Sequence, residues 1–146
     1  MKKRSFIICL TMALALLSFC PTNAQAKVVK KAGWYEAAAI KKDHYNYARG
    51  LELKKFKLKG NKLVTYGGFY YSNKSVSLKQ LKQKKRVFKF ASNCVYYSFN
   101  WKYKRYTTRK KLFKKIKRGM NAKTTSMGVS LRVKNGKVVE VSLGQM

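Results

Sequence analysis

Few side chains in this sequence can do covalent chemistry. Beyond an N-terminal leader the chain carries one thiol, Cys94, one imidazole, His44, and four carboxylates, Glu36, Asp43, Glu52 and Glu140. A thiol beside an imidazole forms a nucleophile and base, so Cys94 with His44 is the candidate pair for such catalysis. Asp43 adjoins His44, but neighbours on an extended chain point to opposite faces and do not form a dyad. The competing reading of Cys94 is a buried, inert residue at a strand start, and that is the expectation. Hydrolysis by paired carboxylates needs two acids at a defined separation. Glu52 and Glu140 fall on the outer faces of their strands among lysines, where solvated salt bridges are expected instead. One His and one Cys are below the usual count for a metal site. Gly67-Gly68 lacks both the spacing of a phosphate loop and the helix that should follow it. No catalytic residue, metal or cofactor is assigned, and the chain is read as a non-enzyme.

What the sequence has in excess is positive charge. Its 146 residues hold 35 Lys and Arg against 4 Asp and Glu, a formal net charge of +31. Solubility needs a net charge of only about 2–8 in magnitude. From Lys79 to Arg118 there are 16 basic residues and no acid. Lysine far outnumbers arginine, which suits diffuse attraction to a polyanion better than base-specific or bidentate recognition. The expected contacts are Lys82, Lys84, Lys85, Arg86, Lys102, Lys104, Arg105, Lys110, Lys111, Lys114, Lys115 and Lys117, with Tyr96 and Tyr106 available for stacking. The expected partner is an anionic cell-wall polymer or an acidic lipid surface. Single-stranded nucleic acid is the alternative, because rings interleaved with cations also serve single-strand binders. A third reading is a membrane-active toxin or antimicrobial that lays the Thr108 to Arg118 helix on anionic lipid. No oligomer contact is assigned.

The leader sets the compartment. Met1 to Arg4 form a positive start, Phe6 to Phe19 are almost wholly apolar, and Ala24-Gln25-Ala26 is a small-x-small site. Those three parts make a signal peptide cleaved near Ala26, leaving 27–146 as one secreted or envelope-associated domain. The apolar run is about 14 residues, short of the roughly 20 that span a bilayer, so an uncleaved anchor is the weaker reading. Phe19 before Cys20 departs from the small residue of a lipoprotein box. Cleavage removes Cys9 and Cys20, leaving Cys94 with no partner for an intrachain disulfide.

The elements that position these residues are mostly short strands. Trp34 to Lys41 makes a first strand, and Leu51 to Leu58 alternates only if Lys54-Lys55 holds a bulge. Gly60-Asn61 turns into Leu63 to Tyr71, where Gly67-Gly68 bends the chain. Ser77 to Lys85 admits one or two helical turns. Val87 to Ala91 forms a strand, Ser92-Asn93 a turn, and Val95, Tyr97, Phe99, Trp101 and Tyr103 the core face of the next strand. Thr107 or Thr108 caps a basic helix whose stripe is Leu112, Phe113 and Ile116, with Gly119 at its C-terminal cap. Val129 to Val133 and Val139 to Leu143 form a terminal hairpin about Asn135-Gly136. Matching its apolar faces sets Leu131 opposite Val139 through a three-residue loop, with Gly136 at positive φ.

Bent strands closed by a terminal hairpin predict a mainly β (α+β) chain. The architecture is a small partly closed β-barrel with one short basic helix. Val87-Phe88-Lys89-Phe90 with Asn93, and Val133 to Val139, resemble stretches of small exported bacterial OB-like β-barrel proteins. The resemblance implies an OB-like barrel and supplies no catalytic residue.

Overall fold

The computed structural model describes residues 26–40, 49–100, 102–122 and 127–145. Asp43, His44 and Trp101, the leader up to Gln25 and Lys41 lie outside the described residues. The chain is mainly β, and its described residues form seven strands and one helix: β1 (Gly33–Ala38), β2 (Leu53–Lys59), β3 (Lys62–Ser72), β4 (Lys79–Asn100), β5 (Tyr103–Tyr106), α1 (Arg109–Asn121), β6 (Met127–Lys134) and β7 (Lys137–Gln145). Pairing runs β1 to β3, β3 to β4, β4 to β7, β7 to β6 and β6 back to β1, so the sheet curls into a partial ring. Only the β4–β7 contact among these is parallel. β1 and β2 run along the same edge of β3, β1 against Tyr70–Ser72 and β2 against Lys62–Gly67. No described helix is long and apolar enough to cross a membrane.

Inward positions fill the ring with rings of another kind. Tyr35, Phe69 and Phe88 pack edge-on and tilted at centroid distances of 5.4–6.5 Å. Val129, Leu131, Val133, Val138, Val141 and Leu143 close the other wall. The helix docks as its stripe requires: Leu112, Phe113 and Ile116 are buried, and Phe113 meets Phe56 and Phe90 at 5.5 and 6.1 Å. Thr108 is the N-cap, its hydroxyl accepting from the Lys111 amide. The bulge at Lys54-Lys55 is present, since Leu53 faces Gly67 while Lys55 faces Tyr66. Gly60-Asn61 is the β2–β3 turn.

Five local expectations are corrected. The terminal hairpin has a two-residue loop, with Asn135 at φ 47° and Gly136 at φ 70°, the left-handed pair favoured by tight hairpins. Val133 faces Val138, and a bulge at Val139 then resets the register so that Leu131 faces Val141 and Arg132 faces Glu140. Loop preference and matching of apolar faces are both met because one extra residue separates them. Ser92-Asn93 is not a turn but part of a continuous β4, whose ladder to β7 slips between Phe90 and Val95. Even-numbered side chains of β4 therefore face inward on both sides of that slip. Tyr96 packs on the core, while Val95, Phe99 and Tyr103 are exposed and Tyr97 is buried against the outer face. Lys79 to Lys85 is strand rather than helix, entered through a turn in which the Asn73 side chain accepts from the Ser75 and Val76 amides. Gly119 lies inside α1, where a Cβ would come within 2.6 Å of Met127 Sδ, and Ala122 is the C-cap.

Buried phenols tie stability to alkaline pH. Burial pushes the Tyr35 hydroxyl up to about 12, with Tyr71 adding to the shift and Arg86 opposing it. Its hydroxyl donates to the Lys31 carbonyl at 3.0 Å. An unfolded tyrosine releases its proton near pH 10, so the folded form is favoured fully below that pH and loses the advantage as pH climbs toward 12. Tyr35→Phe is expected to be less stable at neutral pH but to show a shallower fall over pH 10–12. Denaturant midpoints across that range check it. Lysine neutralisation is common to both proteins and cancels in the comparison.

Candidate functional site

Three strands present one cationic face. Alternation along β2, β3 and β4 sends every second side chain outward, and the register aligns them in rows: Lys55–Tyr66–Lys85, Lys57–Val64–Val87 and Lys59–Lys62–Lys89. All six lysines are exposed. The reverse of the same strands holds Leu58, Leu63 and Phe88 in and against the core. Apolar pressure on one side thus fixes which side the lysines take. Tyr66 is 44% exposed. It borders a shallow groove of about 650 Å³ with Lys54, Lys57, Val64 and Lys85. No carboxylate stands in these rows, and like charges directly opposite across strands repel. A bound polyanion would relieve that repulsion.

The cations picked out from sequence fall on three elements. Lys82, Lys84 and Lys85 are exposed on the first half of β4, where they border a groove of about 820 Å³ together with Lys27 and Lys79. Lys102, Lys104 and Arg105 lie at β5, with the Lys102 ammonium over Tyr103 and that of Lys104 over Tyr97. Lys110, Lys111, Lys114, Lys115 and Lys117 are exposed on α1. Lys85 alone of the set belongs to the three rows.

Arg86 is corrected from ligand to core. It is 4% exposed, donates to the Gly67 and Lys82 carbonyls at 2.7 and 2.8 Å, and lies over the Phe69 ring. Burial lowers its pKa, and Tyr35 opposes that shift. Tyr96 is likewise corrected: it is half-buried beside Phe90, and burial foremost raises its pKa. Tyr106 is 71% exposed, with its ring tilted against that of Tyr97 at 5.9 Å. Sequence reasoning missed Lys55, Lys57, Lys59, Lys62 and Lys89. The usable signal was the alternation of lysine with Phe56 and Leu58.

Among the described residues, the thiol and the three carboxylates suited to covalent chemistry sit in these surroundings. Cys94 is half-buried, and burial pushes its thiol up, away from the reactive thiolate. Glu140 accepts from the Tyr97 hydroxyl and pairs with Arg132 at 3.3 Å. Glu52 is not the solvated outer residue expected; it is 9% exposed and accepts from Gln83 at 2.7 Å. Glu36 accepts from the Ser130 hydroxyl at 3.3 Å. Among the described residues no three His, Cys, Asp or Glu side chains converge as a metal site would require. No family model, no curated protein and no solved structure matches the chain.

Proposed function

We propose that the protein is an exported, non-catalytic cationic barrel that holds an anionic polymer of the cell envelope on the outer face of β2, β3 and β4. The observation that carries this reading is six lysines in three cross-strand rows with no acid among them. Such positions repeat at about 6.7 Å along a strand and 4.8 Å across strands. That array suits a flexible chain of repeated charges better than one compact anion. Lysine supplies point charges without the fork geometry that selects a particular phosphate or carboxylate pose. Export is supported by the charged start, apolar run and small-x-small site that end at Ala26.

An OB-like barrel is supported by the pairing order. β1 with β2, then β3, β4, β6 and β7 follow the order of a five-stranded ring with its third and fifth members parallel and a helix before the fourth. In OB-folds the second and third ring strands form the ligand face. Here those strands are β3 and β4. Binding of single-stranded nucleic acid is favoured by one observation, the exposed Tyr66 ring between Lys55 and Lys85. The membrane-active reading has less behind it, because Leu112, Phe113, Ile116 and Met120 are buried against the barrel.

The test removes charge from two places. One variant carries Gln at Lys55, Lys57, Lys59, Lys62, Lys85 and Lys89; the other carries Gln at Lys110, Lys111, Lys114, Lys115 and Lys117. The first is expected to lose most of its retention on purified anionic wall polymer and on single-stranded DNA; the second is expected to keep most of it. Equal losses would assign binding to net charge rather than to this face.

A further inference from the structure

A third depression lies on the outer face of β1, β6, β7 and the C-terminal half of β4, and its chemistry differs from that of the lysine rows. It has a volume of about 510 Å³, within the range of small-molecule sites. Trp34 walls it from β1 and Phe99 from β4. One cross-strand row sets Glu36, Ser130, Ser142 and Tyr97 side by side on four strands. The next row sets Gly128 opposite Gly144, leaving the floor bare. Arg132, which stacks on Trp34, lines the adjoining depression and not this one.

On the β7 side the bare floor is not demanded by the fold. A Cβ on Gly144 would meet nothing nearer than the Phe99 carbonyl at 3.8 Å, an ordinary contact, and its backbone is not in the left-handed region. Strand interiors favour β-branched residues over glycine. The missing side chain therefore keeps a cleft open rather than permitting a close approach.

We propose that this cleft binds an uncharged sugar ring. Such a ring offers apolar C–H faces to Trp34 and Phe99, and hydroxyls to the Glu36 carboxylate and the Ser130 and Ser142 hydroxyls. Charge argues the same way. Glu36 forms no ion pair among the described residues, so it disfavours an anion, while Lys104 borders the same cleft and disfavours a cation. The polyanion of the lysine face is thus disfavoured here, and the two sites lie on different faces.

The test uses the purified protein with Trp101→Phe, so that Trp34 is the one indole. Its fluorescence is followed with neutral glucose and N-acetylglucosamine tetrasaccharides, with spermidine as a cationic probe, and with insoluble neutral glycan pelleted beside the protein. Saturable Trp34 responses at roughly millimolar tetrasaccharide are expected. Response to the soluble sugars alone would identify a free saccharide, and co-pelleting as well a surface glycan. Gly144→Val should fill the floor and weaken binding at least tenfold without lowering the melting temperature. Glu36→Gln, which keeps an acceptor for Ser130, should weaken it severalfold. The variant lacking six lysines should bind sugar as the parent does. Silence toward both tetrasaccharides, a response to spermidine alone, or full binding by both Gly144→Val and Glu36→Gln would overturn the proposal.

Discussion

Affinity for single-stranded DNA or a flexible polyphosphate wall polymer is expected to fall roughly 300-fold between 50 and 200 mM salt. The figure follows from the six lysines of the β2–β3–β4 face. Each neutralised phosphate releases condensed counterion, and the loss of affinity scales with the number released. Charge buried in a fork of hydrogen bonds would resist screening, but these ammonium groups are exposed. Salt should act in the opposite sense on the free protein. Its formal net charge of +31 makes it self-repelling, and screening over about 10 Å at 0.1 M relieves part of that cost. Melting temperature is therefore expected to rise with salt in the free protein. The extra stability conferred by polymer should shrink over the same range. Titrations at four salt concentrations, paired with thermal melts, measure both slopes. A flat affinity slope would refute a charge-driven interface, whatever the binding strength.

How far the proposed interface was legible depends on what each signal encodes. Lys55, Lys57 and Lys59 alternate with Phe56 and Leu58, and period two alone assigns them to an outer face. Lys62, Lys85 and Lys89 join them only through cross-strand register, which is a tertiary fact. The acid-free span from Lys79 to Arg118 places most of its cations beyond Lys89, on β5 and the helix. Arg86 sits inside that span yet points inward, because it shares parity with Phe88 and Phe90. Charge density along a sequence does not carry that parity.

The same limit explains the fold. The Lys54-Lys55 bulge was readable because an interrupted alternation marks it in one strand. The Val139 bulge was not, because apolar residues stand on both sides of it and either register looks acceptable. On β4, aromatic side chains occupy both parities from Tyr96 to Phe99, so hydrophobicity could not choose a face. Ring closure chose it, by carrying the Phe88–Phe90 parity through to Tyr96. A bent strand with two aromatic faces needs its neighbours before its inside can be named.

Gly68→Ala is expected to cost roughly 4 kcal/mol or more, a loss of the size that marks a specific structural clash. An ideal Cβ at Gly68 would stand 1.5 Å from the Gly50 carbonyl oxygen, 2.6 Å from its carbon and 3.2 Å from Leu51 Cα. All three are backbone atoms, so no rotamer change makes room. The opposing segment is pinned as well. The Leu51 carbonyl accepts from the Ala38 amide at 3.0 Å, the Glu52 carbonyl accepts from Gly68 at 3.3 Å, and Leu51 is buried with Ala38 and Ile40. Moving it aside breaks those contacts, and domains of this size have only about 5–15 kcal/mol in all. Gly60→Ala is the control, since a Cβ there meets nothing within 4 Å. Its φ of 55° should cost only about 1–2 kcal/mol. Urea midpoints of the two variants check the contrast, and equal losses would show that residues 50–52 yield freely. The crossing also lies two residues along β3 from Tyr66 of the Lys55–Tyr66–Lys85 row. Gly68→Ala protein that still folds at low temperature should therefore bind polymer more weakly than Gly60→Ala, because residues 50–52, which lead directly into β2, can clear the new methyl only by shifting against β3.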